Sequence, residues 1–197
     1  TRRSSDLVHL SLGVLALREG RFAEADAHFM EARPHYGTRP PAAVWFHSAS
    51  LAAALSGQVD KAITLLTEGT GAHPHAAALL NNLAVALGTM GRSEEALHVV
   101  EAGLAQDPGL APLHRNRGDL LLAQGNRDAA LDAYLRAVKH HETLGPEVWA
   151  RIGGLRAALG QVDEAVAAWE RALQLDPTHA EARERLEGID VRYHHVP

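Results

Sequence analysis

The sequence predicts an all-α fold: a solenoid of five helical hairpins closed by one further helix. Three observations predict it. A glycine followed five residues later by an alanine recurs at Gly20/Ala25, Gly57/Ala62, Gly91/Ala96, Gly125/Ala130 and Gly160/Ala165, with the glycines 37, 34, 34 and 35 positions apart. Apolar residues flank each glycine at helical spacing. Prolines punctuate the ends of the units at Pro40-Pro41, Pro108, Pro146 and Pro177. A fixed period of this length marks a repeat architecture, because one hairpin cannot bury both of its faces and completes its core on the next copy.

The unit is clearest from Ala77 to Pro108. A first helix places Leu79, Leu80, Leu83 and Leu87 on one side and ends at Gly91, whose missing Cβ suits the left-handed residue that terminates helices. A second helix carries Ala96, Val99, Val100 and Leu104. Ala96 is small where two helices cross closely. Asp107-Pro108 then stops the chain, since proline disfavours helical geometry in the residue before it.

In chain order the repeats span about 6–39, 43–76, 77–110, 111–145 and 146–179 within a single domain over 1–197. Residues 1–5 are polar and read as frayed. The first repeat has Leu12-Gly13 where its helices touch, and a second helix over RFAEADAHFMEARP with Phe22, Ala25 and Phe29 inward. His35 to Pro41 reads as a longer, stiff connection. Trp45 lies in the second repeat. Arg117-Gly118 and Tyr134 lie in the fourth, and Trp149, Gly153 and Trp169 in the fifth. The tryptophans sit at helical core positions. The closing helix is expected over about 178–189, started by a capping box between Thr178 and Glu181. Its charged surface suits a terminal repeat that faces water. The tail VRYHHVP reads as loose.

Composition narrows the function. The chain has 46% hydrophobic and 22% charged residues, no cysteine and a formal net charge of -5. The lack of cysteine excludes disulfides, thiolate metal sites and thiol nucleophiles. The acidic balance argues against a nucleic-acid partner. No apolar run reaches the roughly 18 residues of a membrane span. Thr1 is not an initiator methionine, so a missing targeting signal says nothing. A cytoplasmic location is favoured, with a periplasmic one as the alternative.

The fifth repeat carries a family resemblance. Trp149, Ile152-Gly153, Gly160, Ala165, Trp169, Ala172 and Pro177 fall where the tetratricopeptide repeat family typically has Trp, Leu-Gly, Gly, Ala, Phe, Ala and Pro. Arg156 and Val162 replace the usual aromatics. In the second repeat Ser50 stands for glycine and Gly69 for alanine, departures expected to loosen packing locally. The chain thus resembles that family, of bacterial type, over nearly all of residues 6–190. The resemblance implies a right-handed superhelix whose leading helices line a concave groove, and a non-catalytic adaptor without cofactor that binds a partner's peptide or helix there.

Carried onto this sequence, the groove positions are Leu10 and Val14 in the first repeat, His47 and Leu51 in the second, and Asn81, Asn82 and Val85 in the third. The fourth supplies Arg115, Asn116 and Asp119, and the fifth Arg151. Asn82 and Asn116 are equivalent residues 34 positions apart, and Arg151 holds the next equivalent place. An asparagine amide can donate to and accept from a peptide backbone. Arg115 and Arg151 add forked donors for a carboxylate. An acidic peptide clamp follows, against the alternative that the asparagines bond within or between repeats. Leu10, Val14 and Leu17 form an apolar end patch for an amphipathic helix or a second copy of the chain, unless residues 1–5 or the Pro-rich connection cover it. The lysine and asparagine pattern that clamps a chaperone's C-terminal carboxylate is not reproduced.

Other chemistry is thin. The 13 histidines include His73/His75, His140-His141 and His194-His195, none with the His-Glu-x-x-His spacing of zinc hydrolases. No metal site is expected from them, and surface histidines could make binding pH-sensitive. No phosphate-binding loop, dinucleotide fingerprint or serine elbow is present. The leading function is therefore a protein-interaction adaptor. The alternatives are a structural component of an envelope or secretion complex acting through self-association or end-repeat contacts, and a regulatory domain of a larger enzyme.

Overall fold

The computed structural model describes residues 2–141 and 144–193, with side chains described over 8–141 and 144–189. The expectation for His194-His195 lies outside these residues. Among the described residues the regular elements are all helical: α1 (Arg2–Arg18), α2 (Phe22–Ala32), a 3-10 segment (Arg33–Tyr36), α3 (Ala43–Leu55), α4 (Val59–Ala72), α5 (Ala77–Thr89), α6 (Ser93–Gln106), α7 (Ala111–Ala123), α8 (Arg127–His140), α9 (Pro146–Ala158), α10 (Val162–Leu175) and α11 (Ala180–Tyr193). None is long and apolar enough to cross a membrane.

The chain divides into two compact units, Thr1–Gln106 and Asp107–Pro197. In the first, α1/α2, α3/α4 and α5/α6 form hairpins; α2 packs on α3 and α4 on α5, while α1, α3 and α5 lie side by side. In the second, α7/α8 and α9/α10 form hairpins, α8 packs on α9, and α11 covers α10.

Each hairpin turns at the predicted glycine. The five have φ from 73° to 85°, the left-handed region. The next amide then reaches back five residues, as from Arg92 to Leu87 O at 2.9 Å and from Gln161 to Arg156 O at 2.9 Å. These bonds satisfy carbonyls that the helix end would leave open. The register alanines Ala25, Ala62, Ala96, Ala130 and Ala165 are all 0–1% exposed.

Inside each hairpin, two positions 16 residues apart match in size. Gly13 faces Phe29, Gly118 faces Tyr134 and Gly153 faces Trp169, and a Cβ on any of these glycines would stand 3.0 Å or less from the ring. Where the first position is Ser50 or Ala84, the second is Leu66 or Val100 instead. The second repeat is therefore not loosened, as its departures suggested. Ser50 is 2% exposed and its hydroxyl donates to His47 O at 3.0 Å. Gly69 gives room to Phe46, whose side chain would lie 2.8 Å from an added Cβ. The departures from the family pattern compensate one another.

Other corrections concern element ends. The helix of the first repeat starts at Arg2, so residues 2–5 continue α1 rather than fray or fold back. The second helix stops at Ala32, because Pro34 has no amide to donate to the i−4 carbonyl; the Arg33 amide takes Met30 O and the chain tightens to 3-10. The Thr178–Glu181 capping box is not formed. Thr178 donates from N (2.8 Å) and Oγ1 (2.7 Å) to Asp176 Oδ1, and the Ala182 amide donates to His179 Nδ1 at 3.2 Å. α11 runs on through Val191–Tyr193, where a loose tail was expected.

Polar bridges join neighbouring hairpins of the first unit. Asp26, 7% exposed, accepts from Lys61 Nζ at 2.7 Å and from Gln58 Nε2 at 3.3 Å. Arg33 binds both carboxylate oxygens of Glu68, at 2.9 and 2.6 Å. The exposed Arg33–Glu68 pair helps fix how one repeat sits on the next without adding much stability, because exposed pairs are worth little.

Candidate groove sites

In the first unit the side-by-side α1, α3 and α5 carry the groove positions expected there. Leu51 and Val85 are 39% and 45% exposed, while His47, Asn81 and Asn82 are half-buried. Asn82 Nδ2 donates to His47 Nδ1 at 3.0 Å, and its Oδ1 accepts from Asn81 Nδ2 at 3.2 Å. This is a rung between neighbouring repeats, the alternative that the asparagine reading had left open. It holds the amide at the rim of a hollow of about 440 Å³. Leu51 and Ala54 of α3, Val85 and Ala86 of α5, and Val59 and Leu66 of α4 line this hollow, and its walls are mainly carbon.

The contribution of α4 was missed, because the groove positions were placed on the leading helices, whereas Val59 and Leu66 belong to the second helix of their hairpin. It reaches the hollow because Ser50 and Leu66 fill less space than an aromatic at the second position would.

The apolar end patch also moves. Leu10 and Val14 are half-buried, and among the described residues of α1 the exposed large apolar side chains are Val8 (54%), Leu12 (39%) and Leu15 (46%). Their i, i+4, i+7 spacing makes one stripe. Leu12, expected where the helices of the hairpin touch, lies on this outer face.

In the second unit Asn116 is only 5% exposed, so its amide serves the interior. Arg115 is half-buried. Asp119 accepts from the Tyr134 hydroxyl at 2.7 Å, and Arg151 Nε stands 3.5 Å from the same carboxylate. Burial pushes the Tyr134 hydroxyl above its ordinary value and the Asp119 carboxylate adds to the shift. The Tyr134 hydroxyl therefore stays a donor. Arg151 was expected to offer its fork to a ligand, but it is partly engaged by Asp119. Both Arg151 and Arg127 border a second hollow of about 470 Å³, together with Glu147, Glu181 and His179. Two basic and two acidic side chains leave it without a clear charge preference.

The model of the family described as "Tetratricopeptide repeat" matches residues 47–111, 81–147 and 115–180. The chain resembles the solved structure of TTC0263, a thermophilic TPR protein of Thermus thermophilus, with 25% identity, a TM-score of 0.68, and coverage of 93% of this chain and 97% of that one. It is also similar to MamA from Desulfovibrio magneticus, at 16% identity and a TM-score of 0.73, covering 89% of this chain and 97% of that one. A third likeness is to YrrB, described as a TPR protein with an unusual peptide-binding site, at 15% identity, a TM-score of 0.66, and coverage of 91% of this chain and 90% of that one. Among curated proteins none matches.

Proposed function

The chain belongs to the tetratricopeptide repeat family, a family of protein-interaction scaffolds in general without catalysis of their own, and from that premise we propose that it is an adaptor binding a partner segment across α3 and α5. The observation that carries this reading is the hollow of about 440 Å³ between Leu51 and Val85, apolar within and edged by the Asn82 amide. It suits one aliphatic side chain of an extended peptide or an amphipathic helix. Asn82, although bonded to His47, presents an amide that can exchange a bond with a passing backbone. An apolar anchor is favoured over an acidic one, since Arg151 already faces Asp119. YrrB's description mentions a peptide-binding site, which agrees in kind.

The test is peptide-display selection on the whole chain, followed by Val85→Lys. Burying one aliphatic side chain contributes about 1.5–3 kcal/mol, so selected peptides should share an apolar anchor and lose roughly 10- to 100-fold in affinity on the variant. Selected peptides that bind Val85→Lys as well as the parent would move the site elsewhere.

A second reading is self-association through the end repeat, as in a structural assembly component. The exposed stripe Val8–Leu12–Leu15 favours it. Sedimentation velocity across a concentration series should then show a dimer that Leu12→Glu abolishes. A parent chain that stays monomeric throughout would remove this reading.

A further inference from the structure

We propose that His9, His28 and Glu31 form a binding site for a divalent transition ion of the Zn²⁺ class that staples α1 to α2. Among the described residues these three alone bring metal-ligating atoms together as a group. The same three atoms give every edge of the triangle: His9 Nδ1 to His28 Nδ1 3.5 Å, His9 Nδ1 to Glu31 Oε2 3.0 Å, and His28 Nδ1 to Glu31 Oε2 3.5 Å. Three donors around a tetrahedral ion at Zn–N and Zn–O distances of ~2.0–2.1 Å stand about 3.3–3.4 Å apart. The triangle therefore already has about the size of one face of that tetrahedron.

Two imidazoles and one carboxylate select a borderline ion such as Zn²⁺ over Mg²⁺, which prefers an octahedron of oxygens. On the far side of the His28 ring, Glu24 Oε1 lies 3.8 Å from Nε2, where a carboxylate can orient a metal-bound imidazole. The histidine side chains are 28% and 21% exposed and Glu31 58%, so an ion can enter without unfolding the hairpin. Sequence inspection missed the site because His9 lies 19 residues from His28, and only the hairpin brings them together. The local trace was His-x-x-Glu, one turn along α2.

Zn²⁺ titration calorimetry of the whole chain, with Mg²⁺ as the comparison, tests the proposal. One Zn²⁺ per chain should bind and raise the melting temperature, and Co²⁺ in its place should show the visible bands of a tetrahedral site. His9→Gln and His28→Ala should each weaken Zn²⁺ at least about tenfold, as loss of even an outer-shell partner does, whereas the exposed His75→Ala should not. Should His28→Ala fail to fold, His9→Gln and Glu31→Gln decide. No saturable Zn²⁺ binding by the parent, or binding unchanged in His9→Gln and Glu31→Gln, would show an ion-paired cluster only and overturn the site.

Discussion

Trp45→Ala is expected to destabilise the first unit by about 3–5 kcal/mol, the range for truncating a buried aromatic. Trp45 is fully buried and gathers elements that have little else in common. Phe46 meets it edge-on at 5.2 Å and Tyr36 of the 3-10 segment at 6.1 Å, with the Arg33 guanidinium 5.9 Å from the ring centroid. Alanine would leave a cavity and release the connection that carries the Arg33–Glu68 pair. Trp45→Phe should do much less harm. The indole Nε1 is buried without a hydrogen-bond partner among the described residues, so its removal also relieves an unsatisfied donor. Urea unfolding followed by circular dichroism measures both. Hydrogen exchange should place the loss in α2–α4, because repeat stability is carried by nearest neighbours. A drop for Trp45→Ala below about 1 kcal/mol would mean that the packing around Tyr36 is not what holds this connection.

Gly153→Ala is expected to destabilise the second unit by about 1–3 kcal/mol through overpacking, close to the upper end. The added Cβ would lie 2.5 Å from Trp169 Nε1. The ring cannot swing away cheaply, since it is 2% exposed and its Nε1 donates to Ala150 O at 3.2 Å. In a chain of this size each kcal/mol lowers the melting temperature by roughly 2–4 °C. The informative partner is Trp169→Leu. Alone it opens a cavity; with Gly153→Ala it recreates the pairing of small residue and aliphatic found at Ser50/Leu66 and Ala84/Val100. The double variant should therefore lose less than the two single losses combined. Strict additivity would show that the two positions do not share one space.

Much of the architecture could be read from residue order. The turn glycines, the register alanines and the helices around them depend on backbone geometry within a few residues, and all five glycines adopt the left-handed φ that their placement implied. The groove set was only partly legible. Leu51 and Val85, placed in the groove by the family resemblance, are exposed, whereas Asn116 is buried and Asp119 engages Arg151, because those contacts depend on the neighbouring helices.

The capping box failed for a similar reason. Thr178 had two uses for its hydroxyl, and the preceding Asp176 took it.

Sequence by itself determined that this chain is built of helical hairpins and where each one turns, because those features follow from local conformational preference and the period of the apolar residues. Tertiary structure alone decided which side chains meet: Gly153 with Trp169, Val85 with Leu66 around a hollow, and His9 with His28 and Glu31. Such meetings depend on distances between separate helices, set by the fit of side-chain volumes across the whole interface, and no window along the chain contains that information.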